Sequence, residues 1–382
     1  MKALIFIALT AGTLLSCSSP VQDFKVGNLN YHVRSTSAAT VEVSDNRDFP
    51  LDSLIIPQSV TYQHTTYQVV AIADSAFAYT GATEEPQLRK VVIEEGIHSI
   101  GRAAFAQCYH LEKVVLPNGL SRIEEEAFSG CEELTTLNFP EGLEKIGDYA
   151  FRTCRITEFT APSTLKTIGD YAFYKKGLEK VKLNTEMDSI GAYAFANNIG
   201  LTDLTLPRNV KDVGEGAFTI TGVSEVTIPG TWKTVPAKVF EDCPELTQLT
   251  LEEGVEQIGA RAFASCQQLT SLTLPESMKK VKSEAFDLTS LRSITIKNPQ
   301  TLIEKGALHV PSCNYSRLIS AQSDHPEVAT VDAEGRIGIH GPGAANLTVE
   351  LEHPETKKRE TVVCILHVGK TASQSCPIDH QN

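Results

Sequence analysis

An alanine-phenylalanine pair, once valine-phenylalanine, returns along this chain at a nearly fixed interval. The phenylalanines are Phe77, Phe105, Phe128, Phe151, Phe173, Phe195, Phe218, Phe240, Phe263 and Phe286. The first interval is 28 residues and every later one is 22 or 23. A unit that short cannot enclose a core of its own. It must bury its apolar side against copies of itself, so the period predicts a mainly β solenoid of about ten coils. The question of function then moves from a pocket to a long surface.

Each period carries two apolar blocks. The first reads Leu-x-x-Val-x-Ile at 88–93, Leu-x-x-Val-x-Leu at 111–116 and Leu-x-x-Leu-x-Leu at 201–206. Its last four residues alternate, which is the period of a strand. Proline follows at Pro117, Pro140, Pro162, Pro207, Pro229 and Pro275. Lacking an N–H, it is predicted to end the ladder at a common edge. The second block is Ile-Gly-x-x-Ala-Phe, as in Ile146-Gly147 with Ala150-Phe151. Its glycine is expected to permit the turn, and its alanine to let coils approach. Strand spacing of about 4.8 Å makes ten coils a rod on the order of 45 Å long.

The pattern Leu-x-x-Ile-x-Leu-Pro-x-x-Leu-x-x-Ile-Gly-x-x-Ala-Phe-x-x-Cys resembles the BspA-type leucine-rich repeats of bacterial surface proteins. It runs over about 51–297. The resemblance implies a right-handed leucine-rich-repeat solenoid, taken here as 51–310. Residues 62–67 read as a hairpin inserted in the first coil, and 81–86 add length there. Upstream, 23–33 alternate like a strand pair and resemble the N-terminal cap of this family, placed within 18–50. Solenoid ends need such caps to hide an apolar cross-section.

The first 17 residues read as an export signal: Lys2, an apolar stretch, then Leu14-Leu15-Ser16-Cys17, which resembles a lipobox. The apolar run is too short for a permanent transmembrane helix. The resemblance implies cleavage before Cys17 and its acylation, hence an outer-membrane lipoprotein touching the membrane only through lipid. The alternative is an ordinary secretory signal. The tether 18–22 lacks the acidic run that often sends such proteins to the outer surface.

Nine cysteines in an exported chain normally suggest disulfides. Here Cys108, Cys131, Cys154, Cys243 and Cys266 each follow a repeat phenylalanine by three residues. One column of parallel side-chain vectors does not converge into bridges. The column is read as buried free thiols acting as small hydrophobes. Cys313, Cys364 and Cys376 fall outside it, and one pair among them is available for oxidation.

The repeat decays after Ile296. Residues 323–337, Ser-Asp-His-Pro-Glu-Val-Ala-Thr-Val-Asp-Ala-Glu-Gly-Arg-Ile, resemble the bacterial Ig-like domain of group 2, as do 343–349 and 361–368. Alternation at 328–332 and 337–339 about the turn Glu334-Gly335 reads as strands unaided. The resemblance implies a small β domain at 311–370, either truncated or borrowing strands from the last coils. A tail at 371–382 has no periodicity and is expected to be disordered.

Chemistry is sparse. The ten histidines share no metal-ligand spacing, and no nucleophile or phosphate-cradling motif occurs. The acidic pairs Glu94-Glu95, Glu132-Glu133 and Glu252-Glu253 fall at turns and read as a solvated face. No enzyme, cofactor or metal site is expected. The net charge of −13 disfavours nucleic acid. An outward strand column ends in Thr205, Thr227, Thr250, Thr273 and Thr295, with no aromatic. Two residues before the phenylalanine, three consecutive coils carry Tyr149, Tyr171 and Tyr193, near Lys175, Lys176 and Lys180. An exposed tyrosine row flanked by cations is the composition of a protein interface. Against it stands the plainer reading, that Asp-Tyr-Ala-Phe is a common form of the repeat. The family resemblance implies adhesion to host matrix, host cells or other bacteria. The rivals are glycan capture, for which the single Trp232 is meagre provision, and a structural partner facing the periplasm.

Overall fold

The computed structural model describes residues 23–47, 52–81, 87–175, 177–311 and 317–369. Each turn has three sides. A leucine strand such as Glu158–Thr160 is followed by a proline turn, then a short isoleucine strand such as Thr167–Ile168, then an arc around the phenylalanine. The proline does more than stop a ladder. Its carbonyl accepts the N–H three residues on, as in Leu143 to Pro140 at 3.0 Å and Leu165 to Pro162 at 3.1 Å. Like strands of successive turns pair in parallel, Phe159 with Val181 on one face and Ile168 with Ile190 on the other. Alternation decides which side chains enter: Val181 is fully buried between exposed Lys180 and Lys182.

The ten phenylalanines are all buried, and nine successive ring pairs stack at 5.0 to 6.0 Å, delimiting about nine turns. The arc around them is not a strand. The residue two before each phenylalanine has a left-handed backbone in every turn, from Ser75 at φ 54° to Glu284 at φ 58°. From Gln107 to Leu288 the residue two after is left-handed as well. Alternating backbone hands point every second N–H along the rod. Tyr149, Phe151 and Thr153 donate to the carbonyls of Asp170, Ala172 and Tyr174 at 2.8, 2.8 and 3.0 Å. The Ile-Gly glycine has a different role from the one the sequence suggested. Gly147, Gly169 and Gly191 lie outside the left-handed region; a Cβ on Gly147 would fall 2.5 Å from the Glu125 nitrogen of the preceding turn. That glycine permits close approach.

The thiol column is buried and free. Its position is also polar in purpose. Cys131, Cys154 and Cys266 each place Sγ 3.2 Å from the phenylalanine carbonyl of the turn before. Where the column lacks cysteine, Asn198 donates to Phe173 O at 2.9 Å. Burial pushes the Cys108 thiol up to about 12. Cys364 is buried and free; Cys313 and Cys376 lie outside the described residues.

Both strand faces are interrupted together at one level, and the leucine face is also broken between Thr136–Leu137 and Glu158–Thr160 and between Gln248–Leu251 and Ser271–Leu274. The isoleucine sheet runs unbroken to Asp212–Val213 and resumes at Thr234–Val235; the leucine strands Asp203–Thr205 and Glu225–Ile228 likewise do not pair. Two residues mark the shared gap, both on the isoleucine side. In other turns the residue after the isoleucine strand, most often glycine, donates its N–H to the isoleucine-strand carbonyl of the turn before, as Gly259 does to Val235 O at 2.9 Å, but Pro236 has no N–H to give. Trp232 fills a buried position held by Leu143, Leu165 and Val255 elsewhere, and its indole N–H reaches Pro207 O at 3.0 Å. A larger ring and a missing donor leave cavities of 320 and 390 Å³ on the two faces.

Both ends are closed by strands. Asp23–Val26 and Leu29–Ser35 form the expected hairpin, and Thr40–Val43 joins it to Thr65–Ile72. Ser59–Tyr62 pairs antiparallel with Thr65–Ile72 about Gln63 and His64, both left-handed, which is the turn geometry that suits a two-residue hairpin. At the other end Arg359–Val368 pairs in parallel with the last leucine strand, Ser293–Ile296, and antiparallel with Gly343–Glu352. The C-terminal segment therefore extends the repeat sheet. Its strands Ala329–Val331 and Ile337–Ile339 pair as expected.

Candidate functional site

The residues singled out by sequence lie on the arc, where the left-handed backbone fixes their direction. Tyr149, Tyr171 and Tyr193 have φ of 56°, 54° and 53°. Their rings stack along the rod, with centroids 5.1 Å apart in both pairs. This corrects the expectation of an exposed row: each tyrosine is half-buried, because each ring covers the next.

The ends of the stack are closed too. The Arg152 guanidinium sits over Tyr149 at 5.8 Å from the ring centre. Past Tyr193 the column position is Gly216, and a Cβ there would fall 2.4 Å from the Tyr193 ring. The Tyr193 hydroxyl donates to Glu215 at 3.2 Å, and Glu215 is ion-paired with Lys238 at 2.7 Å. Tyr174 meets Tyr171 edge-on at 5.4 Å. Burial, then the neighbouring Tyr149 hydroxyl, raises the Tyr171 phenol above its ordinary value. With the ring faces occupied, a partner meets ring edges and hydroxyls. Stacking of a sugar ring on a tyrosine face is not available here.

Of the flanking lysines, the structure keeps one beside the row. Lys175 is exposed on the same arc, two residues past Phe173. Lys180 lies on the leucine strand Lys180–Lys182, a different side of the turn, and pairs with Asp203 at 3.4 Å. Lys176 and Cys17 lie outside the described residues. Arg152, Glu215 and Gly216 were not picked out by sequence. The one available signal was Gly216 itself, a glycine ending a run of tyrosines in its column.

The acidic pairs Glu94-Glu95 and Glu252-Glu253 prove to be clasps between turns. Glu94 accepts the Gln58 N–H at 2.9 Å, Glu95 that of Asn118 at 3.2 Å, and Glu253 those of Glu276 and Ser277, each at 3.2 Å. Asp148 and Asp170 do the same on the arc, accepting from the Asp170 and Ala192 nitrogens. Among the described residues no three metal-ligating side chains gather to hold a metal, and no helix is long and apolar enough to cross a membrane.

The family described as BspA type leucine rich repeat region matches the chain over 50–178, 133–247 and 233–323, with six copies. No curated protein matches. Among solved structures, a leucine-rich repeat protein from Bacteroides ovatus is 23% identical, covering 74% of this chain and 99% of that one at a TM-score of 0.42. A leucine rich cell surface protein from Faecalibacterium prausnitzii is 21% identical over 70% and 92% of the two chains, with a TM-score of 0.39. The pneumococcal vaccine antigen PcpA is 20% identical over 74% and 78%, with a TM-score of 0.49.

Proposed function

The chain belongs to the BspA-type leucine-rich repeat family, and from that premise we propose that it is a lipid-anchored envelope protein that holds its rod out to a protein partner. The family suggests a protein-binding role at the surface or envelope, and repeat proteins of this kind are typically non-enzymatic. The finer reading is adhesion to host matrix, host cells or other bacteria from an outer-membrane lipoprotein.

The observation that carries the choice of a protein partner is the closed tyrosine stack. Rigid rings lose little entropy on binding, and their hydroxyls offer hydrogen bonds to a polypeptide. Three rings span only about 10 Å along the rod, so neighbouring polar residues of the arc must contribute. The test is a Tyr149, Tyr171 and Tyr193 triple substitution to serine in an adhesion assay against matrix proteins. A variant of unchanged fold should lose adhesion. Unchanged adhesion would return the tyrosines to an ordinary form of the repeat. The anchor is tested separately by fatty-acid labelling of cells expressing the parent and Cys17→Ser. Label on both would contradict acylation at Cys17. Protease shaving of whole cells decides surface display.

A further inference from the structure

A cavity of 790 Å³ lies away from the tyrosine row. It forms where the N-terminal hairpin meets the first turns, across the adjacent strands 29–35, 40–43, 65–72, 99–100 and 122–123 of one sheet. Small groups make part of its lining: Ala73, Ser99, Gly101 and Ser121. Such a volume is that of a small-ligand site, enough for a few residues of peptide.

The charges on its walls are unevenly committed. Glu42 is held by Arg34 at 2.8 Å and Glu124 by Lys145 at 2.8 Å, while Asp74 accepts the Arg102 N–H at 2.8 Å. Ser121 donates its hydroxyl to His98 O at 3.0 Å. His98 donates through Nδ1 to Gly119 O at 3.1 Å, since a carbonyl can only accept. Arg122 and Ser99 differ from these. They stand directly opposite each other on neighbouring strands, and neither side chain has an ion pair or hydrogen bond among the described residues. Residues paired in register leave the strands on the same sheet face, so a guanidinium and a hydroxyl there offer two donors that a carboxylate can bridge.

We propose that this cavity binds a carboxylate side chain of a peptide, anchored by Arg122 and Ser99. Two observations narrow the ligand. No phenylalanine, tyrosine or tryptophan lines the cavity, so a sugar acid would find no ring to lie against. The chain carries −13, which repels a polyacid, whereas one carboxylate at Arg122 feels mainly local charge because salt screens beyond about 8 Å. The ligand is therefore an isolated glutamate or aspartate in an otherwise uncharged stretch. This site is independent of the tyrosine row.

The test is an NMR titration of the full chain with capped Gly-Gly-Glu-Gly-Gly and with its glutamine counterpart. The glutamate peptide should shift the Arg122 and Ser99 resonances and bind about tenfold more tightly, the scale of one charge-assisted contact. Arg122→Gln should abolish that preference at unchanged melting temperature, and Arg122→Lys should restore part of it. Equal binding of the two peptides, no binding of either at millimolar concentration, or a preference that survives Arg122→Gln overturns the proposal. Galacturonic acid shifting these resonances at lower concentration than the peptide would also overturn it, in favour of a sugar acid.

Discussion

At the level where Asp203–Thr205 fails to pair with Glu225–Ile228 and Asp212–Val213 with Thr234–Val235, the arc beside them does not lose a bond. Gly216, Phe218 and Ile220 still donate to Ala237, Val239 and Glu241 at 3.0, 3.0 and 2.9 Å, and Phe218 stacks on Phe195 and Phe240 at 5.5 and 5.4 Å. The two kinds of ladder differ in how much a single residue can remove. A strand pair here is two to four residues long, so one proline and one wide indole remove most of it. From the Phe77 turn to the Phe263 turn the arc sets three donors and a stacked ring, around a fully buried alanine or valine. Continuity of this rod therefore rests on the irregular-looking side, and the regular-looking sides tolerate gaps.

Truncating the same ring at two levels should give the largest effect. Phe173→Ala, in a turn whose isoleucine strand pairs with both neighbours, and Phe218→Ala, at the gap, should each cost about 3–5 kcal/mol in chemical denaturation. They should differ in shape. Phe173→Ala should retain one transition, whereas Phe218→Ala should split into two, because nearest-neighbour coupling across the gap is carried by the arc. Identical single transitions would break the comparison.

A smaller loss is expected at Gly147→Ala. The new Cβ must push against the Glu125 backbone of the preceding turn, at a cost of about 1–3 kcal/mol. Glu124→Ala, at the equivalent position one turn earlier, removes only an exposed pair with Lys145 and should cost under about 1 kcal/mol. Equal melting temperatures for the two variants would show that turn-to-turn approach is looser than described. The thiols that close the arc give a labelling readout rather than a stability one. Cys108, Cys131, Cys154, Cys243 and Cys266 should resist alkylation in the native protein and react in denaturant, since buried thiols kept protonated are poor nucleophiles. Rapid native labelling, read by mass spectrometry, would mean that the arc is wet.

The smallest effect belongs to the ion pairs between turns. Hydrogen bonds from Lys238, Lys279 and Lys280 hold Glu215, Glu256 and Glu304 below their ordinary value of 4.5. A depressed folded-state value stabilises above the unfolded one and is lost as pH falls through the folded value. Melting temperature should thus decline modestly below about pH 4.5 and show less pH dependence in high salt. A rise on acidification would contradict these pairings.

Much of this was readable in the sequence, and what was not has physical causes. The 22–23-residue period placed Phe105 through Phe286 in one buried column, and the offset of three placed the thiols. The left-handed backbone two before each phenylalanine left no mark, because alanine, glutamate, tyrosine, lysine and arginine all occupy it and the neighbouring turn enforces it. Lys180 is near Tyr171 in sequence, but the chain passes from arc to leucine strand between them. Half-burial of the tyrosines follows from stacking on identical neighbours, which alternation alone does not reveal. Pro236 did carry a signal in the glycine column, and Trp232 beside it was weighed only as a sugar platform.

Native-state amide exchange tests the central claim, that the arc and not the strands keeps the rod continuous. The amides of Gly216, Phe218 and Ile220 should be protected. Those of Glu225 and Thr234, which face the gap, should exchange much faster than their equivalents one turn later, Gln248 and Gln257, which donate to Ser224 and Lys233 at 3.1 and 3.0 Å. Fast exchange at Phe218, or equal protection of Thr234 and Gln257, would contradict the account.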